Sequence, residues 1–211
     1  MKTLTAEQMY HYEETIMNEK NVPSIVLMEC ASRAVVQQMK KIITKTDTIV
    51  IAAGGGNNGG DGIAVGRILH NEGFQVEIFV AGNPDHHSEQ NRLQQKIAKA
   101  YQAVIKTDLS EVDFTNATVI VDALFGIGLN RPVKGEPLKT IDKINAAEKA
   151  RIYSIDAPSG ISSIEGKVLG SCVIADETIT FGFYKHGMEK EELKGYFGEI
   201  TVDDIGFFYE E

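Results

Sequence analysis

The run Thr48-Ile49-Val50-Ile51-Ala52-Ala53, followed at once by Gly54-Gly55-Gly56-Asn57-Asn58-Gly59-Gly60-Asp61-Gly62, constrains this chain more than any other stretch. Its first half is short, apolar and rich in β-branched residues, the composition of a buried strand. Residues 62–69 continue with a helix-like pattern. Strand, glycine turn and helix in immediate succession form the first part of a βαβ unit. Six glycines in nine positions permit positive φ and a close approach of backbone to ligand. The N–H groups that open the helix would face any anion held there.

The loop is not a Walker A motif, which would close on Lys and then Ser or Thr where this chain has Asp61-Gly62. Gly54, Gly56 and Gly59 fit GxGxxG, but the acid expected about 20 residues later is missing, because Glu77 reads as mid-strand. Asp61 carries two readings, the N-cap of the following helix or a ligand contact.

The same alternation runs along most of the chain. Thr5 and Gln8 have capping-box spacing, which starts a first helix near Ala6 with Met9, Tyr12 and Ile16 on one face. Ser24 is expected to cap a second helix, striped by Leu27, Ala31, Val35 and Met39. Strands are expected at 76–80, 103–105, 118–121 and 151–155, with a surface helix within 86–103 and another over 138–147. Two short strands, 177–183 and 198–202, then extend one edge of the sheet. Strands alternating with helices of about a dozen residues predict an α/β fold with a mostly parallel sheet covered on both faces.

In such sheets ligands gather beyond the carboxyl ends of the strands. The glycine loop, Asp122 with its loop at 126–132, and Asp156 with Ala157-Pro158-Ser159-Gly160 all fall at strand ends, so three distant segments converge on one crevice.

Composition narrows the function classes. A chain of 211 residues, 43% apolar and 24% charged, is expected to form one domain with a sizeable core. A formal charge of −9 argues against nucleic acid or an anionic membrane as main partner, since both need Lys and Arg to meet phosphates. Cys30 and Cys172 are too few for a disulfide framework or a zinc site and read as reduced thiols. No apolar run reaches the roughly 18 residues of a spanning helix, and the first residues lack leader character. A cytoplasmic location is the expectation.

Asp122 and Asp156 stand out as candidate functional carboxylates. On neighbouring strands they would repel, so a cation or hydrogen-bond donors must lie between them. Asn58, Asp122 and Ser159 offer an amide oxygen, a carboxylate and a hydroxyl. That set is unsuited to zinc and better matched to a weakly held monovalent ion than to calcium, with potassium, sodium and water all open. His11, His70, His86, His87 and His186 read as structural residues on solvated segments. Arg131 and Lys185 are expected to solvate their loops rather than meet ligand phosphates.

The glycine loop, Val121-Asp122-Ala123-Leu124-Phe125-Gly126-Ile127-Gly128-Leu129 and Asp156-Ala157-Pro158-Ser159-Gly160, in that order, resemble the NAD(P)H-hydrate epimerase family, also called the YjeF N-terminal-domain family. Leu27-Met28-Glu29-Cys30-Ala31 resembles that family's LMExA helix start, and residues 198–206 its closing strand. The resemblance implies a Rossmann-like three-layer α/β/α sandwich, usually homodimeric, that interconverts the S and R epimers of hydrated NADH and NADPH. It implies substrate contacts from Asn57, Asn58, Gly59, Gly60, Asp61, Gly126, Ile127, Gly128, Leu129, Asn130, Arg131, Pro132 and Asp156. It further implies a potassium ion held by Asn58, Asp122 and Ser159, with Asp122 the expected acid/base. Fused relatives append a dehydratase module that 211 residues do not accommodate, so a separate dehydratase partner is expected. The competing reading is a non-catalytic scaffold module of the same fold.

Overall fold

The computed structural model describes residues 3–162 and 166–207. Met1 and Lys2, at the head of the stretch read as lacking leader character, lie outside them. The chain begins with β1 (Thr3–Leu4), α1 (Ala6–Asn18), α2 (Ser24–Met39), β2 (Thr48–Ala53) and α3 (Asn57–Asn71). It continues with β3 (Gln75–Val80), α4 (Glu89–Ala100), β4 (Val104–Lys106), β5 (Val119–Ala123) and α5 (Glu136–Asn145). The last part comprises β6 (Arg151–Ile155), β7 (Ile161–Ser162), β8 (Lys167–Val168), β9 (Glu177–Phe181), β10 (Tyr184–Lys185), α6 (Lys194–Phe197) and β11 (Glu199–Asp203).

Seven strands form one sheet in the order β11-β9-β6-β5-β2-β3-β4, and every pairing in it is parallel. From β2 the chain winds outward to β3 and β4, returns past β2 to β5, and winds outward the other way. The reversal between β2 and β5 opens a crevice at their carboxyl ends.

Alternating strand residues divide the core. Ile49, Ile51 and Ala53 face α2 and α3 with Val121, Tyr153 and Ile155, whereas Val50, Ala52, Ile120 and Ile152 face Ile141 and Ile144 of α5. This period of two lets each strand serve both faces. The result is the α/β/α arrangement expected. Among the described residues no helix is long and apolar enough to cross a membrane.

Several local expectations change. Ser24 is the first residue of α2 and not its cap; Pro23 occupies that position, and the Ser24 hydroxyl accepts from Gln90 Nε2 at 2.9 Å. The third helix starts at Asn57, with Gly56 as its N-cap, so Asp61 lies inside the helix. None of the six loop glycines adopts positive φ. Their purpose is close approach: a Cβ on Gly59 would fall 1.8 Å from the Gly54 carbonyl, and one on Gly62 2.5 Å from Ala123 Cβ. Without side chains there, α3 presses directly onto β2 and β5.

The N-terminal segment closes the crevice. The capping box forms in full, Gln8 N donating to Thr5 Oγ1 at 3.2 Å and Thr5 N to Gln8 Oε1 at 2.9 Å. Strand β1 pairs in parallel with β10, Leu4 opposite Lys185. Met9 and Ile16 of α1 then pack with Ile127 and Phe183, which lays α1 along the carboxyl rim. At the other edge β9 and β11 extend the sheet as anticipated, joined by short helical turns and β10.

Candidate active site

Strand β5 runs through Asp122 to Ala123, so the carboxylate is 0% exposed and held within the sheet. Oδ2 accepts from Ser154 Oγ at 2.9 Å and from Ser159 N at 2.8 Å, while Oδ1 accepts from Ser159 Oγ at 2.5 Å and Leu124 N at 3.3 Å. These donors satisfy both oxygens of the buried carboxylate. They also fill the roughly four acceptor positions a carboxylate has. Burial raises the Asp122 pKa, and the four hydrogen bonds oppose that rise.

Ser159 is fully buried and ties two loops together, since its hydroxyl also accepts from Phe125 N at 2.8 Å. Asp122 and Ser159 thus set the path of the turn after β5 from beneath. An acid/base role for Asp122, expected from its place at a strand end, has no direct route to a ligand in the cleft. Its strand continues past it and its oxygens point into the structure.

Asp156 is different. It follows β6 with φ of +67°, a left-handed conformation that Asp tolerates better than most residues. Its carboxylate turns into the crevice, where Oδ2 accepts from Ile127 N at 3.1 Å and Oδ1 lies 3.0 Å from Lys185 Nζ. Lys185 is 2% exposed and also donates to Thr180 Oγ1 at 2.5 Å and to the Phe181 carbonyl at 2.7 Å. The expectation that Lys185 solvates its loop is therefore overturned. Parallel pairing with β1 buries β10, and the ammonium finds its partner across the rim. Arg131 remains exposed at the mouth.

Together these segments enclose a cleft of about 480 Å³. Asn57, Asn58 and Asp61 of α3, residues 126–131, Asp156 and Lys185 line it. Met9, Tyr10 and Glu13 of α1 complete the wall. Sequence reading missed this contribution, since a helix at the chain's beginning gives no sign of where it docks.

Of the residues expected to meet substrate, Asn57, Asn58, Asp61, Asp156 and residues 126–131 share this cleft. Gly59, Gly60 and Pro132 do not form its wall. Gly59 sits against Gly54, and a Cβ on Gly60 would strike the Met28 side chain. Asn58 Nδ2 is buried with no hydrogen-bond partner among the described residues. An orphaned amide at a polar pocket calls for a ligand, ion or water.

The cleft gathers three carboxyl groups, Glu13, Asp61 and Asp156, around one buried ammonium. Burial pushes the Glu13 carboxyl up to about 7, Asp156 adding to the rise and Lys185 opposing it. Burial, with Asp156 and Glu13 nearby, raises Asp61 well above the carboxylate range. Tyr10 rises for the same reasons, burial first and then Glu13 and Asp156.

His87 is structural as expected but not solvated. It is 5% exposed, its Nδ1 lies 2.9 Å from Gln95 Nε2, and its ring packs against Gly55. Cys30 and Cys172 are free, and burial followed by the nearby Asp122 charge raises the Cys172 thiol pKa.

Comparison with known proteins shows the family. The family model described as YjeF-related protein N-terminus matches residues 24–187. The NAD(P)H-hydrate epimerase of Limosilactobacillus reuteri strain DSM 20016 is 42% identical over 209 residues, spanning 98% of this chain and 97% of its own. That of Lentilactobacillus buchneri is 41% identical over 209 residues, spanning 98% and 95%. The crystal structure of yeast ynu0 superposes with a TM-score of 0.80 at 18% identity, covering 96% of this chain and 87% of its own, a likeness of fold. With a family model over most of its length and relatives of this similarity, the chain belongs to the YjeF-related protein N-terminus family.

Proposed function

We propose that this protein is an NAD(P)H-hydrate epimerase, an isomerase that interconverts the S and R epimers of NADHX and NADPHX. The observation that carries the reading is the near full-length similarity to proteins of that name. The cleft supports it: Asn57 and Asn58 at the head of α3, Arg131, and the carboxyl groups of Glu13, Asp61 and Asp156 line one pocket, a set suited to a nucleotide and its damaged ring.

The hydrated ring bears a hydroxyl on the carbon next to its ring nitrogen. Inversion there requires C–O or C–N cleavage and closure from the other face. Cleavage of C–O releases water and leaves an iminium cation, and Asp156 presents a carboxylate to that developing positive charge. Lys185 orients Asp156, and the 126–131 loop shields the intermediate from bulk water. Asp122 acts as a positioning residue through the turn after β5.

A monovalent cation, potassium in our reading, suits Asn58, Asp122 and Ser159 where the ion takes the place of the hydrogen bond from Ser159 Oγ to Asp122 Oδ1. The donors are neutral oxygens with one carboxylate, and the unpaired Asn58 amide, flipped, would present its oxygen. When bound, it would neutralise the buried Asp122 charge and stiffen the adjoining loops. The working enzyme is a cytoplasmic homodimer in this account, and a separate dehydratase consumes one epimer. Chromatography of isolated R-NADHX with the purified protein tests the function. Appearance of the S epimer above the spontaneous rate supports it, and an unchanged ratio refutes it in favour of a scaffold module.

A further inference from the structure

Resting on the epimerase reading, we infer that Glu13 is a catalytic residue, exchanging a proton with the ring hydroxyl at the wall of the cleft formed by α1. Four observations lead there. Glu13 lines the cleft with Tyr10, Asp61, Asp156 and Lys185. It makes no hydrogen bond or ion pair among the described residues, so no structural partner explains a half-buried carboxyl at this place. Asp122, the acid/base expected from sequence, is fully buried with its oxygens taken. Asp156 Oδ1 lies 3.0 Å from Lys185 Nζ, so that carboxyl is engaged in an ion pair while the Glu13 carboxyl is not.

The groups around Glu13 come from every neighbouring element: Tyr10 on its own helix, Asp61 on α3, Asp156 after β6, Lys185 on β10 and Arg131 in the loop after β5. Burial and then Asp156 raise its affinity for a proton, and Lys185 moderates the rise. A carboxyl half-protonated near neutral pH is suited to both directions of a reversible proton transfer.

Protonated Glu13 gives its proton to the hydroxyl oxygen, the C–O bond breaks with its electron pair leaving on water, and the nitrogen lone pair forms the C=N bond of the iminium. Water then adds to the same carbon from the other face, returning the pair to nitrogen and passing a proton to Asp156. Solvent exchange restores the starting protonation of both carboxyls. No oxidant, reductant or further reactant is consumed.

The test compares wild type, Glu13→Gln and Glu13→Asp by chromatographic initial rates on R-NADHX from pH 5.5 to 9, with NADPH as an unreactive binding probe. Wild type should show an ionisation near 7 in kcat/KM. The Gln variant should lose roughly 10²-fold or more in kcat, lack that ionisation, and bind NADPH within about threefold of wild type. The Asp variant, keeping the acid on a shorter stem, should recover part of the rate. Gln activity within about fivefold of wild type and an unchanged profile would overturn the assignment, as would parallel loss of activity, NADPH binding and stability. If wild type itself leaves the epimer ratio at the spontaneous rate, the functional reading fails instead.

Discussion

Lys185 Nζ lies 3.0 Å from Asp156 Oδ1, joining a two-residue strand near the end of the chain to the turn that follows β6. The same strand pairs Lys185 with Leu4, so one buried ammonium connects the cleft to the segment that delivers α1. A paired, nearly solvent-free cation of this kind costs desolvation that only its partners offset.

Replacing Lys185 with Met should therefore cost about 3 kcal/mol, the scale for leaving one member of a buried pair without its counter-charge. Urea denaturation would show it as a lower midpoint with an unchanged slope. Epimerisation should fall as well, because Asp156 loses the group that orients it.

Asp122→Asn separates architecture from chemistry. An amide has one acceptor oxygen, so its NH₂ would face donors that now approach the other carboxylate oxygen, Ser154 Oγ and Ser159 N in one orientation. A cost of about 2 kcal/mol follows. Activity and stability should drop together, with NADPH binding weakened. Full stability with a loss of turnover alone would restore Asp122 as a direct acid/base.

The raised Glu13 carboxyl, about 7 against an ordinary 4.5, links stability to pH. Between those values the folded state holds more protons at this position than the unfolded state, so stability falls as pH rises through that window. Glu13→Gln removes the penalty. Its Tm should exceed that of wild type at pH 8, with the advantage fading toward pH 5, measured by thermal denaturation across that range.

A cation held by Asn58, Asp122 and Ser159 would stabilise the folded state by mass action. Thermal melts at equal ionic strength should give a higher Tm in potassium chloride than in tetramethylammonium chloride. Asn58→Ala should abolish the difference. Equal melting of wild type in both salts would exclude the ion.

Much of this was legible in the sequence, and for physical reasons. Apolar strands ending in Gly or Asp declared both the parallel sheet and its functional edge, because a period of two and a helix start are local properties. The convergence of Asn58, the 126–131 loop and Asp156 on one cleft followed from topology. Conformation within the glycine loop did not: glycine permits positive φ and close packing alike, and only the contact of Gly62 with Ala123 shows which is used. Lys185 and Glu13 were missed because their burial depends on the β1–β10 pairing, a contact across most of the chain between two-residue strands with no pattern of their own.

In the proposed function the rim of this sheet grips a hydrated nicotinamide dinucleotide and inverts one carbon. Incubating chromatographically pure R-NADHX with catalytic amounts of the protein, and following the S-to-R ratio, measures it directly. Rapid approach to the equilibrium mixture, in proportion to protein added, is the predicted result; a ratio that drifts only as fast as in buffer alone would contradict it.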